Sequence, residues 1–89
     1  MASGYELYVR HEVHLRIGKL RSQARRGIMR FLESLASDPF QKGDYQHRTP
    51  EGRDVQVKVI GSHALIFWAD HPVREVKIVD IVQADMSVQ

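Results

Sequence analysis

Apolar and polar residues alternate at Tyr5-Glu6-Leu7-Tyr8-Val9, a stretch rich in β-formers, and predict a first strand. From about Arg10 to Ser37 the period lengthens. Val13, Ile17, Leu20, Ala24, Ile28, Phe31 and Leu35 recur at steps of three and four, the spacing of one helix face. Gly18 and the polar Ser22-Gln23 weaken the middle of this run. A single helix of about 26 residues is unusual in so short a chain, so the pattern predicts two helices in a hairpin. Between Ala24 and Ala36 the residues Ile28, Phe31, Leu32 and Leu35 face a core. Asp38-Pro39 ends the second helix, because the residue before a proline avoids the helical region.

The remainder reads as β. Residues 40–54 are polar, with a turn at Thr49-Pro50-Glu51-Gly52 and room for a short strand at Tyr45–Arg48. Val55, Val57 and Val59 alternate with Gln56 and Lys58, which predicts a strand with its valines buried and its polar residues wet. Gly61-Ser62 signals a hairpin. Ala64-Leu65-Ile66-Phe67-Trp68 is apolar on both faces, as a central strand is, and Phe67 and Trp68 are expected in the core. After the turn Asp70-His71-Pro72, Val73 to Val82 alternates charged and β-branched residues. The order predicts an α+β fold: an N-terminal strand, a helical hairpin, then a three- to four-stranded, largely antiparallel sheet with the helices packed on it.

At 89 residues the chain is expected to form a single domain, 1–89, with one small core. Its 43% hydrophobic and 27% charged content is that of an ordinary globular protein and argues against wholesale disorder. No run approaches the roughly 20 apolar residues of a membrane helix, and Met1-Ala2-Ser3-Gly4 does not open a signal peptide. Without cysteine there is no disulfide framework, thiolate nucleophile or cysteine zinc site. A reducing cytoplasm is the expected compartment.

The net charge of +2 hides an uneven distribution. Arg10, Arg16, Lys19, Arg21, Arg25, Arg26 and Arg30 stand against Glu12 alone within residues 10–30. Such a field attracts a polyanion, RNA included, or an acidic protein segment; a solvated helix face is the plain alternative.

Motif chemistry is sparse. No Walker pattern, dinucleotide fingerprint or nucleophile elbow is present. His11 and His14 are three apart, without the spacing of a His-Glu zinc motif, so neither metal nor cofactor is expected. Arg53, Lys58, Gln56 and His63 fall on one predicted hairpin. On a shared exposed face they would form a positive patch that holds a phosphodiester, with the histidine moving a proton. Each also has a structural reading, since Lys58 and Gln56 suit any wet strand and Arg53 can simply close a turn.

Taken together, the opening strand, the stretch Ile28-Met29-Arg30-Phe31-Leu32-Glu33-Ser34-Leu35-Ala36-Ser37-Asp38-Pro39, and Gly52-Arg53-Asp54-Val55-Gln56-Val57-Lys58-Val59 resemble the RelE/ParE superfamily of bacterial toxins. The turn at Gly61, the strand Ala64–Trp68 and the closing strand Val76–Val82 complete the likeness, which covers roughly residues 5–85. It implies a toxin of a type II toxin–antitoxin pair, held inactive by an antitoxin. RelE-like members cut messenger RNA in the ribosome without a metal, through basic side chains on the sheet. ParE-like members poison DNA gyrase instead.

By that resemblance Lys58 matches a lysine of the RNA-cutting members. Gln56 replaces another lysine, Ala64 an arginine, and Gln83-Ala84-Asp85 a basic strand end. The leading expectation is a ribosome-dependent endoribonuclease with Arg53, Lys58 and His63 catalytic. Arg16, Lys19, Arg21, Arg25, Arg26, Arg30 and Arg48 would hold RNA. The alternative is a non-cleaving, gyrase-binding toxin, or a degenerate relative that acts by protein binding. A homodimer is left open.

Overall fold

The computed structural model describes residues 4–84. Strand β1 (Glu6–Val9) leads directly into helix α1 (His11–Gly18), and helix α2 spans Ser22–Ser37. The expected interruption thus falls at 19–21. There the Arg25 guanidinium donates to the Leu20 carbonyl (2.8 Å) and satisfies an acceptor left open between the helices. Strand β2 (Tyr45–Arg48), β3 (Asp54–Ile60), β4 (His63–Asp70) and β5 (Glu75–Gln83) follow. The sheet order is β1-β5-β4-β3-β2, with β1 parallel to β5 and every other pair antiparallel. This is the expected α+β architecture. β4 is the central strand, which accounts for its apolar character on both faces.

Both helices lie on one face of the sheet. Val13 and Ile17 of α1 and Ile28, Leu32 and Leu35 of α2 pack with Leu65, Phe67, Val76, Ile78 and Ile81. Phe31 meets Phe67 edge-on, with centroids 5.6 Å apart. The core positions of β5 do not keep a strict period of two. Phe67 pairs with Ile78 whereas Ile66 pairs with Asp80, so Val79 is an extra residue in a bulge. The bulge resets the strand's parity and returns Ile81 to the helix side. The strand also begins later than its hydropathy suggests, because His71–Val73 forms a turn of 3-10 helix and Arg74 is left-handed (φ 55°).

Two expectations about which face a residue takes are corrected. Cross-strand partners share a face, and Lys58 pairs with Leu65 while Gln56 pairs with Phe67. The polar positions of β3 therefore point to the helix side. The valines point to the other face, where Val55 and Val57 are nonetheless buried. The loop after α2 makes this possible by covering the polar positions: Gly43 N–H donates to Gln56 Oε1 (2.9 Å), and Asp44 pairs with Lys58 Nζ (3.5 Å). Trp68 is the second correction. It pairs with Lys77 on the helix-free face, outside the core that Phe67 occupies, because adjacent strand residues face opposite ways.

Candidate functional site

On the helix-free face, β3–β5 place Val57, Val59, Ala64 and Val82 side by side, since Val59 pairs with Ala64 and Ala64 with Val82. Further along, Arg53 lays its guanidinium over the Trp68 ring, 3.8 Å from the centroid. Lys77 lies 5.4 Å from the same ring and is paired with Asp70 (3.1 Å) and Glu75 (3.9 Å). The turn holding Arg53 is built locally. Arg53 N–H donates to Thr49 Oγ1 (3.1 Å), and Thr49 N–H donates to the Arg53 carbonyl (2.8 Å). Arg53 thus closes a turn, and its charge sits on an aromatic face. Tyr8, Arg10 and Trp68 border a concavity of about 240 Å³ beside it.

The three expected catalytic groups do not meet. Lys58 rests on the helix side, 5.8 Å from the Phe31 ring and paired with Asp44, whereas Arg53 stacks on the opposite face. A single phosphate cannot touch both. Lys58 and Ala64, matched above to two basic positions of the RNA-cutting toxins, also occupy opposite faces of the sheet. His63 does share the helix side with Lys58, because it pairs with Ile60, two residues further along β3. Its Nδ1 lies 3.5 Å from Ser62 Oγ. Gln83 pairs with His63 at the exposed end of β5; Asp85 lies outside the described residues.

One carboxylate beside this region has a displaced titration. Asp44 accepts the Val59 N–H (2.7 Å), which holds its pKa below the ordinary value of 3.8; the neighbouring Lys58 charge adds to the effect and burial opposes it. An anionic Asp44 neutralises the lysine that a phosphate would need.

The basic helices divide into committed and free cations. Arg16 is bound to Asp80 of β5, Arg25 to the Leu20 carbonyl, Arg10 to Glu12 (3.9 Å) and Arg48 to Asp54 (3.2 Å). Lys19, Arg21, Arg26 and Arg30 make no ion pair among the described residues and are exposed. They follow the outer side of the helical hairpin from its turn to the middle of α2.

A cluster that sequence reasoning missed ties the chain ends of three elements together. The Tyr5 hydroxyl and His71 Nδ1 are 2.7 Å apart, and Phe40 stacks on His71 at 5.1 Å. These residues come from segments far apart in sequence, so no local pattern signals them. A cleft of about 220 Å³ opens beside it, with Lys42, Asp54, Gln56 and His71 on its walls. Among the described residues no group of three His, Asp or Glu side chains could hold a metal ion, and no helix is long and apolar enough to cross a membrane.

No family model and no curated protein matches the chain. Solved structures do. The archaeal RelE-RelB complex from Pyrococcus horikoshii OT3 aligns with a TM-score of 0.75 at 14% identity, covering 91% of this chain and 96% of that one. The toxin–antitoxin complex RelBE2 from Mycobacterium tuberculosis aligns at 0.71 and 16%, covering 90% and 98%. A double arginine-to-alanine mutant of the E. coli toxin RelE in the free state aligns at 0.72 and 18%, covering 98% and 88%. Each alignment covers at least 88% of both chains. The chain therefore has the fold of the RelE toxins.

Proposed function

We propose that this protein is the toxin component of a type II toxin–antitoxin pair, restrained by a cognate antitoxin in the cytoplasm, and that it acts by binding its target rather than by cutting RNA. Support for the toxin role comes from the likeness to RelE chains, two of them from complexes with an antitoxin. A single observation carries the non-cleaving part. The candidate catalytic cations lie on opposite faces of the sheet, Lys58 on the helix side and Arg53 over Trp68 on the helix-free face. Losing one positioned electrostatic contact costs on the order of a hundredfold in rate, so an unassembled set leaves little catalysis.

A second reading, ribosome-dependent cleavage of messenger RNA, is favoured by the common face of Lys58 and His63. In it Lys58 holds the phosphate, His63 moves a proton, and the free cations Lys19, Arg21, Arg26 and Arg30 grip ribosomal RNA. Arg53 has no place at that centre.

Two measurements separate these. Induced expression in a bacterial host should arrest growth; unimpeded growth overturns the toxin role. Primer extension on a defined message, translated in vitro with the purified chain, should show no new cuts at micromolar protein. Cuts that require ribosomes and vanish in Lys58→Ala and His63→Ala establish the second reading instead. With cleavage absent, a gyrase supercoiling assay is the direct test of a ParE-like target.

A further inference from the structure

The cleft of about 220 Å³ beside the Tyr5–His71 contact is walled by the loop after α2, by β3 and by the 3-10 turn that follows β4. Each of these elements brings a hydrogen-bond donor that has no acceptor among the described residues. Lys42, in the loop, is exposed and makes no ion pair there. Gln56, in β3, has its Oε1 occupied by the Gly43 N–H (2.9 Å), which leaves the amide nitrogen without a partner. His71 has its Nδ1 2.7 Å from the Tyr5 hydroxyl and its ring stacked on Phe40, so two contacts fix the imidazole. With Tyr5 donating to Nδ1, the ring proton sits on Nε2 and makes it a third donor. The carboxylate on the walls, Asp54, is already held by Arg48 through both oxygens (3.2 and 3.4 Å). Phe40, which also lines the cleft, is 66% exposed.

We propose that this cleft binds the phosphate group of a small phosphomonoester, with Lys42, Gln56 and His71 as its donors and Phe40 against the organic part. The volume lies below the roughly 300–1,000 Å³ of pockets for drug-sized ligands, so the occupant is small. Donors from three elements match a group with three terminal oxygens. A carboxylate has two, and so does an internal phosphodiester of RNA; either leaves a donor unanswered. The charge on Lys42 strengthens the bond it makes beyond that of a neutral donor. A cation finds no free acceptor, because Arg48 neutralises Asp54 and Gly43 takes the Gln56 oxygen. None of the three donors belongs to the candidate catalytic set, so phosphate binding here stands or falls apart from RNA cleavage and toxicity.

The full chain, isotopically labelled, is titrated with phenyl phosphate at constant ionic strength in a buffer free of phosphate and sulfate. Amide shifts should saturate and centre on Phe40, Lys42, Gly43, Gln56 and His71, and the His71 ring nitrogens should move with the same saturation. Inorganic phosphate should reproduce these shifts more weakly, because it leaves Phe40 uncovered. Benzoate should bind on the order of tenfold more weakly than phenyl phosphate, the scale of one hydrogen bond to a charged group. Lys42→Ala and Gln56→Glu should each lower the affinity for phenyl phosphate by a similar factor, and Lys42→Arg should retain it. Gln56→Glu keeps an oxygen for the Gly43 N–H and Lys42 is exposed, so circular dichroism should show these variants folded.

Shifts that do not saturate, or that centre on Lys19, Arg21, Arg26 and Arg30, would overturn the site. Benzoate binding as tightly as phenyl phosphate, or undiminished binding by Gln56→Glu, would do the same. An RNA oligonucleotide without terminal phosphates that gives the same shifts at lower concentration would overturn the monoester in favour of a polynucleotide.

Discussion

Asp44 occupies the position where the β2–β3 ladder runs out, and it substitutes for the missing strand. Its N–H donates to the Val57 carbonyl (2.7 Å) while its carboxylate accepts the Val59 N–H. An edge capped in this way is a poor template for pairing with another chain. Because its folded pKa lies below the unfolded one, Asp44 stabilises the fold above the ordinary carboxylate value and loses that contribution as pH falls through the folded value. Asp44→Asn should therefore flatten the acid limb of a plot of melting temperature against pH, below about pH 4. An acid limb unchanged from the parent's would show that the Val59 bond does not hold the carboxylate.

Gly43, next door, admits no side chain. A Cβ there would sit 2.9 Å from the Val57 nitrogen and closer still to its carbonyl, and backbone cannot step aside as a flexible side chain can. Gly43→Ala should cost on the order of 2 kcal/mol in denaturant unfolding, within the usual range for overpacking.

Among the elements, β3 separates patterning from placement. Its alternation was legible, and Val55 and Val57 are buried as expected. Period two cannot say which face meets the helices, since shifting a strand by one residue exchanges its faces. β5 adds a second lesson. The charged residues Glu75, Lys77 and Asp80 step by two and then by three, and that irregular step is the sequence trace of the bulge at Val79.

The β2–β3 turn delivers Arg53 to Trp68 across strand boundaries, a contact invisible to any local window. Trp68 is the only tryptophan, so the contact can be followed by fluorescence. Arg53→Ala should red-shift the emission and lower stability by about 0.5–1 kcal/mol, the value of a cation–aromatic contact at an exposed site. An emission spectrum identical to the parent's would contradict the stacked arrangement.

For the whole molecule, the parallel pairing of β1 with β5 joins the two ends of the described chain. Leu7 and Val9 pack against the core beside Val76 and Ile78, both fully buried. So short a chain has one core and no reserve, so deleting residues 1–9 should abolish cooperative unfolding and collapse the dispersion of the amide spectrum. A truncated chain that still melts sharply would show β1 to be dispensable. Charge is also organised at this scale. The basic run of the helices is a single block in sequence, yet folding binds Arg16 to the sheet and Arg25 to the helix turn. Lys19, Arg21, Arg26 and Arg30 are left facing outward.

The sequence by itself determined the element order, the break in the helical run, the three turns that shape the β half, and the helix residues that enter the core. Those features follow from hydrophobic period, proline and glycine chemistry, all of which act within a few residues. It also carried enough of the family pattern to indicate the RelE-like fold. Only the tertiary structure decided that Arg53 and Lys58 occupy opposite faces, that Trp68 lies outside the core, and that Gly27 of α2 lies against Ile60 of β3. The physical reason is common to all three. Strand parity becomes a face only when a helix layer settles on one side, and a site exists only where register brings residues from separate elements within reach of one ligand.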